Sequence, residues 1–150
     1  MKSLTSKLPV AARVVLGLIF FVFGLNGFLH FLPQPPMTGA PAAFVGALVS
    51  SGYVLALLKA TEVAAGLLLL AGVFVPLALT LLAPVIVNIV AFHVFLAPGN
   101  YPVVALVLAA ELFLAWTYRE AFAPMLRMRP TVAGADVSPA PAAREWRHAA

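Results

Sequence analysis

The chain has 150 residues, of which 63% are hydrophobic and 9% are charged, and its mean hydropathy is +1.06. Soluble domains are about half apolar and about a quarter charged, so this composition excludes an ordinary soluble protein and predicts an integral membrane protein. The chain contains no cysteine, which excludes disulfides, dithiol exchange and thiolate metal sites. The net charge of +4 does not indicate a nucleic-acid partner, because the basic residues flank apolar segments instead of forming a patch.

The first apolar segment follows three basic residues and carries no charge over residues 14–32. It is longer than the apolar part of a signal peptide, which has about 7 to 15 residues. Since about 20 residues cross the hydrocarbon core of a bilayer, we predict a retained membrane-spanning helix. A Pro-Gln-Pro-Pro sequence follows and ends the helix, because proline has no amide hydrogen.

Proline and glycine divide the remaining apolar sequence into one short and three long segments. The short segment has apolar residues at helical spacing but cannot cross a bilayer, which predicts an interfacial or re-entrant helix. The C-terminal residues lack apolar periodicity, which predicts a disordered cytoplasmic tail. The predicted fold is therefore all-α, a four-transmembrane-helix bundle with a short helix between the first and second spans. The predicted bounds are 9–32, 52–72, 76–97 and 101–122 for the spans, 41–51 for the short helix, 1–123 for the membrane domain and 124–150 for the tail.

The basic residues indicate how the chain is oriented. Apart from Lys59, all of them lie before the uncharged run 14–32 of the first span or at and beyond the end of the fourth span. Because basic residues mark the cytoplasmic side, we predict a multi-pass inner (plasma) membrane protein with both termini in the cytoplasm. The basic residues that follow the fourth span indicate an anchor for the anionic leaflet.

Lys59 and Glu62 place two charges inside the second predicted span. Residues three apart share a helix face, so the two side chains can form an ion pair. A charge near the bilayer centre costs about 2.5 to 3.5 kcal/mol and therefore faces a protein interior. The pair either fixes helix packing or handles protons or a ligand. Glu111, in the fourth span, either pairs with Lys59 or is neutral and donates a hydrogen bond.

Four uncharged polar residues, Asn26, His30, Asn88 and His93, lie at middle or outer depth in the first and third spans. The buried charges lie at similar depth, so we predict one polar cavity that opens to the non-cytoplasmic side, with the short helix as a cover. The asparagines also fit interhelical hydrogen bonding. The histidines also fit an interfacial belt or a bis-histidine haem site. No metal site is predicted, because the histidines and glutamates lack the spacing of metal ligands.

Three elements of the spans form a combined pattern. Arg13 enters a helix that continues as Gly-Leu-Ile-Phe-Phe-Val-Phe-Gly; Glu-x-x-x-Gly-x-x-Leu begins at Glu62; and Pro-x-x-x-Asn-x-x-x-x-His ends at His93. Together they resemble DoxX-like membrane proteins over residues 13–129. The resemblance implies a four-helix inner-membrane bundle in which Arg13, Glu62, Asn88 and His93 occupy family-like positions. Relatives are linked to thiosulfate:quinone oxidoreductase subunits and to membrane complexes that guard against oxidative stress.

Our leading hypothesis is therefore a quinone-binding or accessory subunit of a membrane redox complex. Lys59 and His93 would hydrogen-bond the quinone carbonyl oxygens, while Glu62 and Glu111 would exchange protons. The other predicted ligand-binding residues are Asn26, His30 and Asn88. Expected partners are the lipid bilayer and a membrane or soluble redox protein. The sequence is compatible with an oligomer and does not specify one. The alternatives are a small-solute transporter, a membrane assembly factor and a haem protein.

Overall fold

A computed structural model describes residues 2–33, 36–99, 101–126 and 128 of the chain. The described residues form helices and turns and no strand, so the predicted all-α class is confirmed. In chain order the elements are α1 (Lys2–Leu29), α2 (Ala40–Ser50), α3 (Val54–Ala71), α4 (Val75–Ala91), a π-helical turn (Phe92–Leu96), α5 (Tyr101–Thr117), α6 (Arg119–Phe122) and a 3-10 turn (Ala123–Leu126).

Three helical segments are long and apolar enough to cross a bilayer: Lys7–Leu29, Val54–Ala71 and Val75–Leu96. α5 and the segment Arg119–Leu126 form a fourth span if they are counted together, but they meet at an angle of 74°. The chain is therefore a multi-pass membrane protein with three or four candidate spans. α2 is apolar but has only 11 residues, which is too short to cross.

The end of α1 is determined by its own side chains. α1 ends at Leu29 instead of residue 32 and extends further toward the N-terminus than predicted. His30 follows with a φ of 52°, a left-handed conformation that is common just beyond a helix. Asn26 Oδ1 then accepts a hydrogen bond from the Leu32 amide at 2.6 Å. The helix therefore stops before the proline-rich sequence.

α5 is shorter than the predicted fourth span. It ends at Thr117, and the chain turns at Tyr118 before α6 continues in a different direction. Arg119 folds back over the end of α5: its guanidinium lies 5.2 Å from the centroid of the Trp116 ring and donates to the Trp116 carbonyl oxygen at 3.1 Å. Arginine and tryptophan are typical of the membrane–water interface. Beyond the 3-10 turn, the predicted tail lies outside the described residues apart from Met128.

α1 and α3 are antiparallel and pack backbone against backbone. A Cβ on Gly66 would lie 2.6 Å from the Phe21 backbone nitrogen and 2.9 Å from the Gly17 carbonyl oxygen. A Cβ on Gly24 would lie 2.9 Å from the Val63 backbone nitrogen. Only glycine permits this approach, and small residues commonly bring membrane helices together, because lipid supplies no hydrophobic force between them.

The remaining helices pack around this pair. α4 contacts α3 and α5, and α5 contacts α1. The fully buried large side chains between these four helices are Leu16, Leu69, Leu79, Leu82, Ile86 and Leu114. α2 has no buried residue and rests against α3 and the π-helical turn, with the Phe44 and Phe92 ring centroids 5.8 Å apart. We call this end of the molecule the α2 end, and the opposite end, where α3 turns into α4, the Gly72 end.

We expect Gly66→Ala to destabilise the fold, because the added methyl group meets the backbone of α1 and not a flexible side chain. The expected loss is about 1 to 3 kcal/mol, the range for an overpacked contact, measured as the free energy of unfolding in a detergent titration. Gly46→Ala is the matched control, because Gly46 is also helical and a Cβ there would meet nothing within 4 Å. Equal stability of the two variants would contradict the backbone contact.

Candidate functional site

The ion pair that the spacing of Lys59 and Glu62 predicts is present on α3. Lys59 Nζ donates to both carboxylate oxygens of Glu62, at 3.0 Å to Oε1 and 2.8 Å to Oε2. The Glu62 side chain is 5% exposed and the Lys59 side chain is 22% exposed. The pair is thus largely buried, and its two charges cancel.

Two glycines of α1 leave the space that the ion pair occupies. A Cβ on Gly24 would lie 3.0 Å from Glu62 Cβ. A Cβ on Gly27 would lie 2.6 Å from Lys59 Cδ and 3.1 Å from Lys59 Cε. The hydrocarbon stem of Lys59 therefore lies flat along α1 while its ammonium turns back to Glu62. The position of the ammonium depends on a residue of the other helix.

Glu111 is a second buried carboxyl group, on α5. It is 6% exposed and shares its helix face with the buried residues Val104, Val107, Ala110 and Leu114. Its Oε2 has no hydrogen-bond partner among the described residues. Lys59 bonds to Glu62 instead, so the alternative pairing of Lys59 with Glu111 is not found in this part of the chain. Burying a polar group without a partner costs stability, and in a membrane span such a group marks a functional hypothesis.

The two predicted histidines bind their own backbone. His30 Nδ1 lies 3.1 Å from the Phe28 carbonyl oxygen, and His93 Nδ1 lies 2.8 Å from the Ile89 carbonyl oxygen. A carbonyl oxygen only accepts, so in these contacts Nδ1 is the donor and Nε2 of a neutral ring is an acceptor. His30 is exposed at the end of α1. His93 lies in the π-helical turn with its ring 5.4 Å from that of Phe92.

The two asparagines were expected to form hydrogen bonds between helices, and the structure places one in a buried and the other in an exposed position. Asn26 is 5% exposed, but its Oδ1 bonds to the Leu32 amide of the same segment and not to another helix. Asn88 is exposed on α4, and its side chain makes no hydrogen bond to any residue that the structure describes. Neither asparagine therefore joins two helices in this structure.

The single polar cavity that the sequence predicts is not found among the described residues. Two shallow clefts are present instead, and α2 forms a wall of each. The first cleft is lined by Gly27, Phe28, Leu48, Val49, Gly52, Leu55 and Ala56. The second cleft is lined by Phe44, Asn88, Ala91, Phe92, Phe95 and Leu96. Their volumes are about 190 Å³ and 270 Å³, and most ligand pockets exceed about 300 Å³.

The predicted residues do not all face one space. Glu62 and Glu111 are buried, while His30 and Asn88 are exposed. Lys59, Glu62 and Glu111 line neither cleft, and the same holds for His93. α2 has no buried residue and rests against α3 and the π-helical turn. The described residues also contain no group of three or more histidine, aspartate or glutamate side chains that could hold a metal ion.

A contact at the Gly72 end was missed by the sequence reasoning. The guanidinium of Arg13 lies directly against Gly72, within the space that a side chain there would fill. Gly72 ends α3 with a φ of 74°, and the C-terminus of a helix carries a partial negative charge that attracts a cation. Arg13 Nε is itself buried without a hydrogen-bond partner among the described residues. An arginine at the start of one span and a glycine at the end of the next are the signal that could have found this contact.

Comparison of the chain with protein-family models, with curated proteins and with solved structures finds no match. The chemistry of the site therefore has to be read from its own geometry. That geometry consists of a neutralised ammonium–carboxylate pair beside the first cleft and a separate, unbonded carboxyl group between the helices.

We expect Lys59→Met to destabilise the protein, because it leaves the Glu62 carboxylate buried without its counter-charge. Breaking a buried pair on one side costs about 3 to 5 kcal/mol, and the partial exposure of Lys59 places the loss at the lower end. Adding Glu62→Gln to Lys59→Met removes the orphaned charge and should restore most of the stability in a detergent unfolding titration. If the single and the double variant are equally stable, the two residues are not coupled.

We expect Glu111→Leu to leave the fold at least as stable as the wild type. The substitution removes a buried oxygen that has no partner, so no hydrogen bond is lost and the stability rises by up to about 1 to 3 kcal/mol. The melting temperature in detergent measures this effect, with Glu111→Gln as the control that keeps a polar group in place. A clear fall in the melting temperature of the leucine variant would mean that Glu111 has a structural partner.

Proposed function

We propose that this chain is a DoxX-like, four-helix protein of the inner membrane, and that it binds a small uncharged amphiphile at the first cleft. The proposed ligand is a quinone, and the proposed role is a quinone-binding or accessory subunit of a membrane redox complex. Both termini are proposed to lie in the cytoplasm. The α2 end, with both clefts, would then face away from the cytoplasm.

The observation that supports this proposal is the position of Gly27. Gly27 lines the first cleft, and the stem of Lys59, on α3, lies against Gly27. The cleft and the ion pair therefore adjoin the same turn of α1. In this proposal the Lys59 side chain moves toward the cleft and donates a hydrogen bond to the ligand headgroup.

The charge balance of the pair favours an uncharged ligand. Glu62 accepts two hydrogen bonds from Lys59 and cancels its charge, so an anionic headgroup gains little attraction at this cleft. The ammonium has three donors, and one of them can bind a neutral acceptor such as a quinone carbonyl oxygen. Quinone reduction takes up two protons with two electrons. In this proposal a redox partner provides the two electrons and the aqueous phase provides the two protons. Glu62 and Glu111 relay these protons to the quinone oxygens, each carboxyl group taking up a proton before it donates one.

The size of the first cleft suits a headgroup and not a whole isoprenoid quinone. Its volume of about 190 Å³ is too small to enclose a long chain. The walls supplied by Leu48, Val49 and Leu55 are apolar, and α2 exposes its outer side. The isoprenoid chain would therefore run between α2 and the surrounding lipid.

Binding of a short-chain benzoquinone, measured by native mass spectrometry from mild detergent, tests the proposal. We expect Val49→Trp to abolish binding, because Val49 lines the cleft and is 57% exposed, so the larger ring fills the cleft without entering the core. Lys59→Met should weaken binding about tenfold, the effect of one hydrogen bond to a charged group.

Ala47→Trp is the matched control, because Ala47 is an exposed residue of the same helix that lines neither cleft. Glu62→Gln and Glu111→Gln should keep quinone binding but abolish quinone-dependent turnover in the presence of the redox partner. Binding that survives Val49→Trp, or that Ala47→Trp weakens equally, would place the ligand elsewhere.

A proton-coupled solute transporter is the second candidate, and the isolation of Glu111 favours it. A buried carboxyl group without a partner is typical of proton relays in transporters. Solute flux into proteoliposomes without any electron donor, lost in Glu111→Gln, would support transport over redox chemistry.

A further inference from the structure

Asn88 is a polar residue that the structure leaves exposed within a candidate span. It is exposed on α4 and lines the second cleft, to which α2 contributes Phe44. The span Val75–Leu96 has 22 residues, and Asn88 lies about three residues from its middle, which is about 4 Å at the rise of an α-helix. The amide therefore sits deep in the hydrocarbon region and not at the interface.

Three threonines of the described helices bond to the backbone of their own helix. Thr61, Thr80 and Thr117 each donate their hydroxyl to the backbone carbonyl four residues earlier, at 2.9, 2.9 and 2.8 Å. The Asn88 amide has two donors and an acceptor and bonds to no described residue. Leaving such a group unbonded in hydrocarbon costs several kcal/mol. The surface of α4 therefore lacks a partner at this depth.

We propose that a second copy of this chain binds to the exposed face of α4 and pairs with Asn88. An amide is both donor and acceptor, so two Asn88 side chains related by a two-fold axis satisfy each other reciprocally. The occupant has to offer a donor and an acceptor at the same depth in the membrane. A lipid tail offers neither, whereas a second α4 offers both by symmetry.

The surroundings of Asn88 fit a close helix contact. Ala91 lies three residues further on and lines the second cleft together with Asn88, and small residues let two membrane helices approach. Phe95, one turn further, is 80% exposed. Phe95 lines the second cleft, and the equivalent ring of the second copy can pack into this cleft. The interface has no charged residue among those that line this cleft, so no buried charge opposes association.

Cysteine cross-linking in bilayers tests the proposal, because the chain contains no cysteine of its own. We expect Ala91→Cys to form a disulfide-linked dimer upon oxidation. Leu106→Cys is the matched control: Leu106 is 49% exposed on α5 and lies at a similar distance from the α2 end. A dimer yield with Ala91→Cys that does not exceed the Leu106→Cys yield would overturn the proposal.

Asn88→Leu and Asn88→Gln are each combined with Ala91→Cys. The comparison distinguishes the contribution of the amide group to dimer formation from that of the shape of the helix face. We expect the leucine variant to lower the cross-linked fraction, with an about tenfold weaker dimer, the scale of an interhelical polar contact. The glutamine variant should keep the dimer. An undiminished yield with leucine would overturn the proposal, as would a monomeric mass for the wild-type protein released from bilayers.

The dimer and the quinone site can fail separately. The Asn88 face adjoins the second cleft, while the proposed ligand lies in the first. Quinone binding that persists in Asn88→Leu while the cross-linked fraction falls would support the dimer and leave the proposed function intact. Quinone binding lost in Val49→Trp while cross-linking persists would concern the proposed function alone.

Discussion

The close approach of α1 and α3 is the constraint on which the rest of the structure depends. The glycines at positions 24 and 66 allow the two backbones to touch, and Gly27 leaves space for the Lys59 stem. Lys59 and Glu62 can be buried together because α1 supplies a flat surface for the lysine stem. The same glycine contact that holds the helices together therefore also fixes the only ion pair between described side chains.

Much of the fold could be predicted from the sequence, because the signals are local. Apolar runs of sufficient length gave the membrane-spanning segments, since hydrocarbon thickness sets helix length directly. The Lys59–Glu62 contact depends only on a three-residue spacing within one helix. The helix ends were less predictable, because Asn26 caps α1 from within and Arg119 folds back onto Trp116, and neither contact follows from hydropathy.

The arrangement of the site could not be predicted, because depth and direction are separate properties. Position along a span gives depth in the membrane, and on that basis the polar residues were expected to meet. The rotation of each helix about its axis depends on packing against its neighbours, which a single sequence does not specify. Glu111 faces inward on α5 while Asn88 faces outward on α4. Two residues at comparable depth therefore lie one in the protein interior and the other on its surface.

The unequal lengths of the helices affect the surrounding lipid. The segment from Val75 to Leu96 has 22 residues, about 33 Å, whereas α5 has 17, about 26 Å at 1.5 Å per residue. A bilayer hydrocarbon core is about 30 Å thick. If α5 crosses the membrane as the fourth candidate span, the two sides of the molecule fit different thicknesses. Compression of the leaflets beside α5 is one way to match its length, and each ångström of mismatch has a modest energetic cost. Lipids with shorter acyl chains relieve this compression and should gather along that side of the protein.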